Sequence, residues 1–110
     1  MNELDKLRDM LKEADITYED YCELRTDEED LKYWLKYSGE NGKYRRNQVI
    51  YGRYSKGGWL FDGICHGGSY GAKENLIESY GDLGVDEEGN PMVLTATQAF
   101  EIIKKDWDSK

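Results

Sequence analysis

Hydrophobic positions at the start of the chain recur with helical spacing. Leu4, Leu7, Leu11 and Ala14 fall on one face with Met10 beside them, and most positions between them are charged. Asn2 suits an N-cap, and Glu3 and Asp5 suit a first turn. The pattern predicts an amphipathic helix covering one side of a sheet. The end of the chain mirrors it. Thr95 with Gln98 forms a capping box, and Leu94 and Ala99 stand at the two positions of a hydrophobic staple. Phe100, Ile103 and Trp107 then repeat at i, i+3, i+7, with Lys104 and Lys105 toward the C-terminal end. This predicts a second packing helix.

Between these helices the period shortens to two. Lys32, Trp34 and Lys36 alternate with Tyr33, Leu35 and Tyr37, and Gly39-Glu40-Asn41-Gly42 comes next, so residues 31–44 read as a hairpin. Tyr44 to Tyr54 reads as a strand, Ser55 to Gly58 as a turn, and Trp59 to His66 as another strand. Phe61, Gly63 and Cys65 share one face of that strand with Trp59; Leu60, Asp62, Ile64 and His66 share the other. Apolar residues on both faces predict a place near the sheet centre. Residues 16–30 read either as a short strand or as a helical turn, with Thr26 or Asp27 capping a turn that runs into Leu31. Gly67, Gly68 and Gly71 form a corner, after which a helix is expected from about Ala72, with Leu76, Ile77 and Tyr80 facing inward. The expected fold is α+β, a small antiparallel sheet of three to four strands covered by the N- and C-terminal helices, in a single domain over residues 1–110.

Composition narrows the classes. Aromatic residues make up 13% of the 110 residues, with nine tyrosines, which argues against disorder. Cys22 and Cys65 are too few for a disulfide framework, no secretory signal is seen, and no apolar run nears the ~20 residues of a membrane span. These features predict a cytoplasmic protein with reduced thiols and no membrane partner. The formal charge of −8 is unevenly distributed. Residues 1–30 carry 12 acids and 4 bases, residues 31–60 carry 1 acid and 7 bases, and residues 61–110 carry 10 acids and 4 bases. The balance disfavours direct nucleic-acid binding, yet the basic middle leaves room for a local anion site.

Catalytic constellations are scarce. Cys65 and His66 are adjacent, so a strand directs them to opposite faces. Asp62 and His66 share a face but would lie about 13 Å apart along a strand. One histidine and two separated cysteines give no zinc spacing, so neither metal nor cofactor is expected. The glycine corner reads in two ways, as a tight connection needing positive φ or as an anion cradle ahead of a helix, with Lys73 adding charge. It matches neither GxxxxGK[ST] nor GxGxxG. The basic middle interleaves Tyr44, Arg45, Arg46, Arg53 and Tyr54. These are either strand aromatics screened by arginine stems or a surface for phosphate pairing and base stacking.

The run NQVIYGRYS and GGWLFDGICHGGSYGAKENLIE, followed by GVDEEGNP and LTATQAFEIIKKDW, resembles a group of small phage and prophage proteins of Firmicutes-type bacteria, over roughly residues 45–107. The resemblance implies a phage origin, a host bacterial cytoplasm and, by analogy with small phage proteins of this size, a role against host defence. Two functions are then expected. The first is non-catalytic sequestration of a small phosphorylated, nucleotide-type signal in a homo-oligomer. Its site would be Tyr44, Arg45, Arg46, Arg53, Tyr54, His66, Gly67, Gly68, Ser69, Tyr70 and Lys73. The alternative is an acidic, DNA-mimic-like inhibitor of a host nuclease or CRISPR effector, carried by the acids of residues 3–30 and 82–88.

Overall fold

The computed structural model describes residues 2–53 and 58–110. In chain order its elements are helix α1 (Glu3–Glu13), strand β1 (Glu19–Leu24), helix α2 (Glu28–Ser38), a 3-10 turn (Gly39–Lys43), β2 (Tyr44–Arg53), β3 (Trp59–Ile64), a second 3-10 turn (Ala72–Glu74), β4 (Ile77–Tyr80), β5 (Met92–Leu94) and helix α3 (Ala96–Asp108). The fold is α+β. The sheet has five strands rather than three to four, in the order β1-β2-β3-β4-β5, each antiparallel to its neighbours. β3 is the middle strand, where its two apolar faces put it.

The terminal helices form as their patterns predict. The Asn2 side chain accepts from the Asp5 amide at 2.8 Å and caps α1. Thr95 and Gln98 close the capping box of α3, with the Gln98 side chain accepting from the Thr95 amide at 2.9 Å. Leu4, Leu7 and Leu11 of α1 and Ala96, Ala99 and Ile103 of α3 are buried in one core with Val49, Tyr51, Phe61 and Ile77 of the sheet and with Cys65 just past β3. Full burial of each large aliphatic side chain contributes about 1.5–3 kcal/mol. Gly63 is required here, because a Cβ would lie 2.9 Å from Ile77 Cγ2 and 3.0 Å from the Phe61 ring. A charged residue joins this layer. Arg8 donates to Asp20 at 2.8 Å, to Asp5 at 2.9 Å and to Asn47 Oδ1 at 2.7 Å, pinning α1 across β1 and β2. The carboxylates and the amide oxygen satisfy a guanidinium that burial would otherwise penalise.

Two segments differ from the sequence reading. Residues 31–37 are not a hairpin strand but the body of α2. Asp27 caps that helix by accepting from the Asp30 amide at 3.0 Å, and three acids occupy its first turn. Leu31, Trp34 and Ser38, at i, i+3, i+7, are its less exposed positions, so the alternation of Lys with Tyr and Leu lies on the solvent side. Asn41-Gly42 sits in the 3-10 turn instead of a hairpin turn. A Cβ on Gly42 would fall 2.1 Å from the Trp34 carbonyl oxygen, so the glycine lets this turn lie against α2. The helix expected from Ala72 is a three-residue 3-10 turn followed by β4. Gly71 at φ +82 and Asn75 at φ +66 close the turn at both ends in the left-handed region. Ile77 and Ser79 then face the core, so the alternation of a strand wins over a helical spacing supported by three residues. No helix of the described residues is long and apolar enough to cross a membrane.

Candidate functional site

At the glycine corner the amides of His66 to Tyr70 are engaged within the chain. The Gly67 amide donates to the Tyr44 carbonyl at 3.2 Å and the Gly68 amide to Ser38 Oγ at 2.9 Å. The His66 amide donates to Ser69 Oγ at 3.0 Å, and the Ser69 amide returns to the His66 carbonyl at 3.1 Å. The Tyr70 amide donates to the Glu78 carboxylate at 2.9 Å. An anion therefore does sit on this corner, and it is a side chain of the same molecule. The glycines have a steric reason as well. A Cβ on Gly67 would meet Arg25 at 2.6 Å and Trp34 at 3.1 Å, and one on Gly68 would meet the Trp34 ring at 3.2 Å. With a 3-10 turn in place of the expected helix, no helix N-terminus follows the corner.

The basic residues are dispersed. Arg45 pairs with Glu23 at 2.9 Å on an exposed surface. Arg46 lies 3.8 Å above the Tyr21 ring and donates to Gln48 at 2.9 Å. Tyr44 opens β2 with the Lys43 ammonium 5.3 Å from its ring. Lys73 is exposed on the second 3-10 turn, beside Gly39. His66 is half-buried, its Nδ1 3.0 Å from the Gly67 carbonyl oxygen. Arg53 ends β2, but its side chain lies outside those described, and Tyr54 lies outside the described residues altogether. Tyr44 and the corner thus come together through a backbone bond, Arg45 and Arg46 turn to other partners, and Tyr70 points outward at 76% exposure. A cleft of about 220 Å³ is lined by Arg25, Thr26 and Arg45, with Asp27 and Asp30 on the same walls.

Cys65 is fully buried among apolar side chains, and burial pushes its thiol up to about 12, which suppresses thiolate reactivity. On the sheet face away from α1 and α3, Gln48 donates to Asp62 at 2.8 Å. Burial raises the Asp62 carboxyl above its usual range, against the pull of that hydrogen bond and of Arg46 and His66. The hydroxyl of Tyr80 donates to Glu78 at 2.6 Å, and this bond, together with burial, lifts its pKa to about 12.

Sequence reasoning missed two surfaces. The first is α2, in which Ser38 alone is buried while Tyr33, Leu35 and Tyr37 are 54%, 41% and 57% exposed. The Tyr33 and Tyr37 rings lie 4.7 Å apart, and Tyr33 meets Trp34 edge-on at 4.9 Å. Its sequence signal was present, since Asp27 followed by three acids is a helix start. The second is a groove of about 280 Å³ between Tyr70 and Tyr80, floored by Glu78 and completed by Pro91 and Val93. Comparison of the chain with protein-family models, with curated proteins and with solved structures gives no match.

Proposed function

We propose that this chain is a non-catalytic binding protein that docks on a basic surface of a partner protein. The target class is that of an acidic inhibitor, a host nuclease or CRISPR effector whose nucleic-acid groove is basic. The setting is the bacterial cytoplasm during phage infection, as the phage resemblance suggests. One observation carries the reading: α2 exposes Tyr33, Leu35 and Tyr37 while burying only Ser38. Tyr33 and Tyr37 stand one turn apart with their rings 4.7 Å apart, an exposed aromatic pair, and tyrosine is enriched among the residues that dominate binding energy. The exposed acids Glu28, Glu29 and Asp30 begin the same helix. They belong to a chain of net charge −8, which would steer it toward a basic partner.

Sequestration of a small phosphorylated ligand is the second reading. The cleft where Arg25 and Arg45 meet Thr26 favours it, while Asp27 and Asp30 on that cleft oppose a phosphate. The test uses the purified full chain as bait in a bacterial lysate, with DNA competition of any retained protein. The expected result is capture of a nucleic-acid-binding protein that DNA displaces and that salt weakens, lost in Tyr33→Ala/Tyr37→Ala. Retention indifferent to DNA, salt and these substitutions overturns the proposal. Release of a nucleotide from the denatured protein, seen by native mass spectrometry, would establish the second reading instead.

A further inference from the structure

The groove between Tyr70 and Tyr80 has an unusual floor. Glu78 is 4% exposed, so its carboxylate has little contact with bulk water. Its two oxygens accept from the Tyr70 amide at 2.9 Å and from the Tyr80 hydroxyl at 2.6 Å, both neutral donors. Among the described residues no lysine or arginine pairs with it. Asp5 and Asp20, by contrast, each have the Arg8 guanidinium beside them. A buried carboxylate without a countercharge is costly, and each of its oxygens keeps a lone pair for a further donor.

The walls suit that missing charge. Tyr70 and Tyr80 are 76% and 36% exposed and present ring surface, with Pro91 and Val93 giving the apolar remainder. Aromatic faces attract cations through their quadrupole, most strongly where water is partly excluded. Asp62, the cross-strand neighbour of Tyr80 on β3, adds a second carboxylate nearby. A glycine lets the backbone beside Tyr70 pack against the Val93 wall. Gly71 stands at φ +82, and a Cβ there would collide with Val93 Cγ1 at 2.7 Å.

We propose that this groove receives a cationic side chain, arginine or lysine, of the partner protein. The methylene stem would lie between the tyrosine rings, and the charged head would reach Glu78. The assignment rests on the reading of the chain as a binder of a basic partner, and it names the chemical group that such a partner inserts. It is separate from α2, and free amino-acid analogues probe it without any partner. Failure here would therefore leave the lysate experiment with its own outcome.

The experiment is an NMR titration of the isotope-labelled full chain with the N-acetyl methylamides of arginine and of lysine, and with that of citrulline as the neutral isostere of arginine. The expected result is a saturable shift of the Tyr70, Glu78 and Val93 amides with at least one cationic analogue, and none with citrulline. Tyr70→Ala, at an exposed position, should weaken the response about two- to fivefold. Glu78→Gln, which keeps the shape and removes the charge, should weaken it about tenfold or more. A response to citrulline equal to that of the stronger cationic analogue overturns the proposal. So does the absence of any response up to about 50 mM, or a response that survives both substitutions.

Discussion

Helices α2 and α3 have similar lengths, capped N-termini and aromatic residues, yet they sit differently in the molecule. α3 buries Ala96, Ala99 and Ile103 against the sheet, and bonds from its Ala96 amide to Glu3 and from Tyr51 to its Asp106 tie it to α1 and β2. α2 buries Ser38 alone and touches the glycine corner through that residue, which accepts from the Gly68 amide, and through Trp34, which lies under Gly67 and Gly68 and 5.0 Å from the Arg25 guanidinium. Propensity and capping make both segments helical, but only burial makes one of them part of the core. A helix that keeps its tyrosines in water adds little to stability. Under the proposed function its composition is explained by the partner it meets rather than by what it holds together.

The largest expected effect lies on the α3 side. Ile103→Ala removes a fully buried side chain from the shared core of both terminal helices and should cost about 2–5 kcal/mol in chemical denaturation. A loss below about 1 kcal/mol would mean that α3 is no more integral than α2. Next comes the contact that holds α2 in place. Gly42→Ala puts a methyl into the Trp34 carbonyl, where backbone must move, and should cost about 1–3 kcal/mol. Amide exchange should rise first across α2 and the 3-10 turn at Gly39–Lys43, with α1 and α3 protected. Uniform loss of protection would contradict the separation of the two regions.

A smaller effect tests how α1 and α3 are joined. Glu3 accepts from the Ala96 amide at 2.9 Å and from Lys6 at 2.7 Å, and these bonds lower its carboxyl pKa, the Lys6 bond first. A depressed carboxylate stabilises the fold above its unfolded value and ceases to do so as the pH falls through the lower folded value. Glu3→Gln should therefore cost about 1 kcal/mol at pH 7. That difference from the parent should shrink as the pH drops below the ordinary value of 4.5. A gap that stays constant down to about pH 2.5 would remove the charge from the explanation.

The ease of reading these regions in the sequence depends on where their stabilising contacts lie. α1 and α3 are legible because capping and apolar spacing are local, and each runs for at least two turns. β2 and β3 are legible because alternation is local too. α2 is ambiguous, since Lys32-Tyr33-Trp34-Leu35-Lys36-Tyr37 satisfies period two and a weak helical stripe at once. The deciding contact, Gly42 against Trp34, joins residues eight apart. β4 is four residues long, and β5, at three, carries too little pattern to be recognised. The candidate site is the least legible. Nothing in the order of residues tells that the Tyr70 amide is taken by Glu78, or that Arg46 turns onto Tyr21.

The smallest stability effect is the one that bears most on function. Tyr33→Ala and Tyr37→Ala remove rings that are more than half exposed and whose ring contacts are with each other, Trp34 and the Lys36 ammonium. Each should change the unfolding free energy by no more than about 0.5 kcal/mol, as surface substitutions do. Partner binding should fall by about 2 kcal/mol or more for at least one of them, as truncation of an interface tyrosine does at a hot spot. Both quantities can be measured on the same samples, by denaturant titration and by calorimetry against the captured partner. Destabilisation well above about 0.5 kcal/mol would make α2 a structural helix after all, and its tyrosines part of the fold's own packing. Unchanged binding with unchanged stability would leave the exposed rings without a role at this surface. Only the combination of intact fold and lost binding separates α2 from α3 as the surface that acts from the helix that supports.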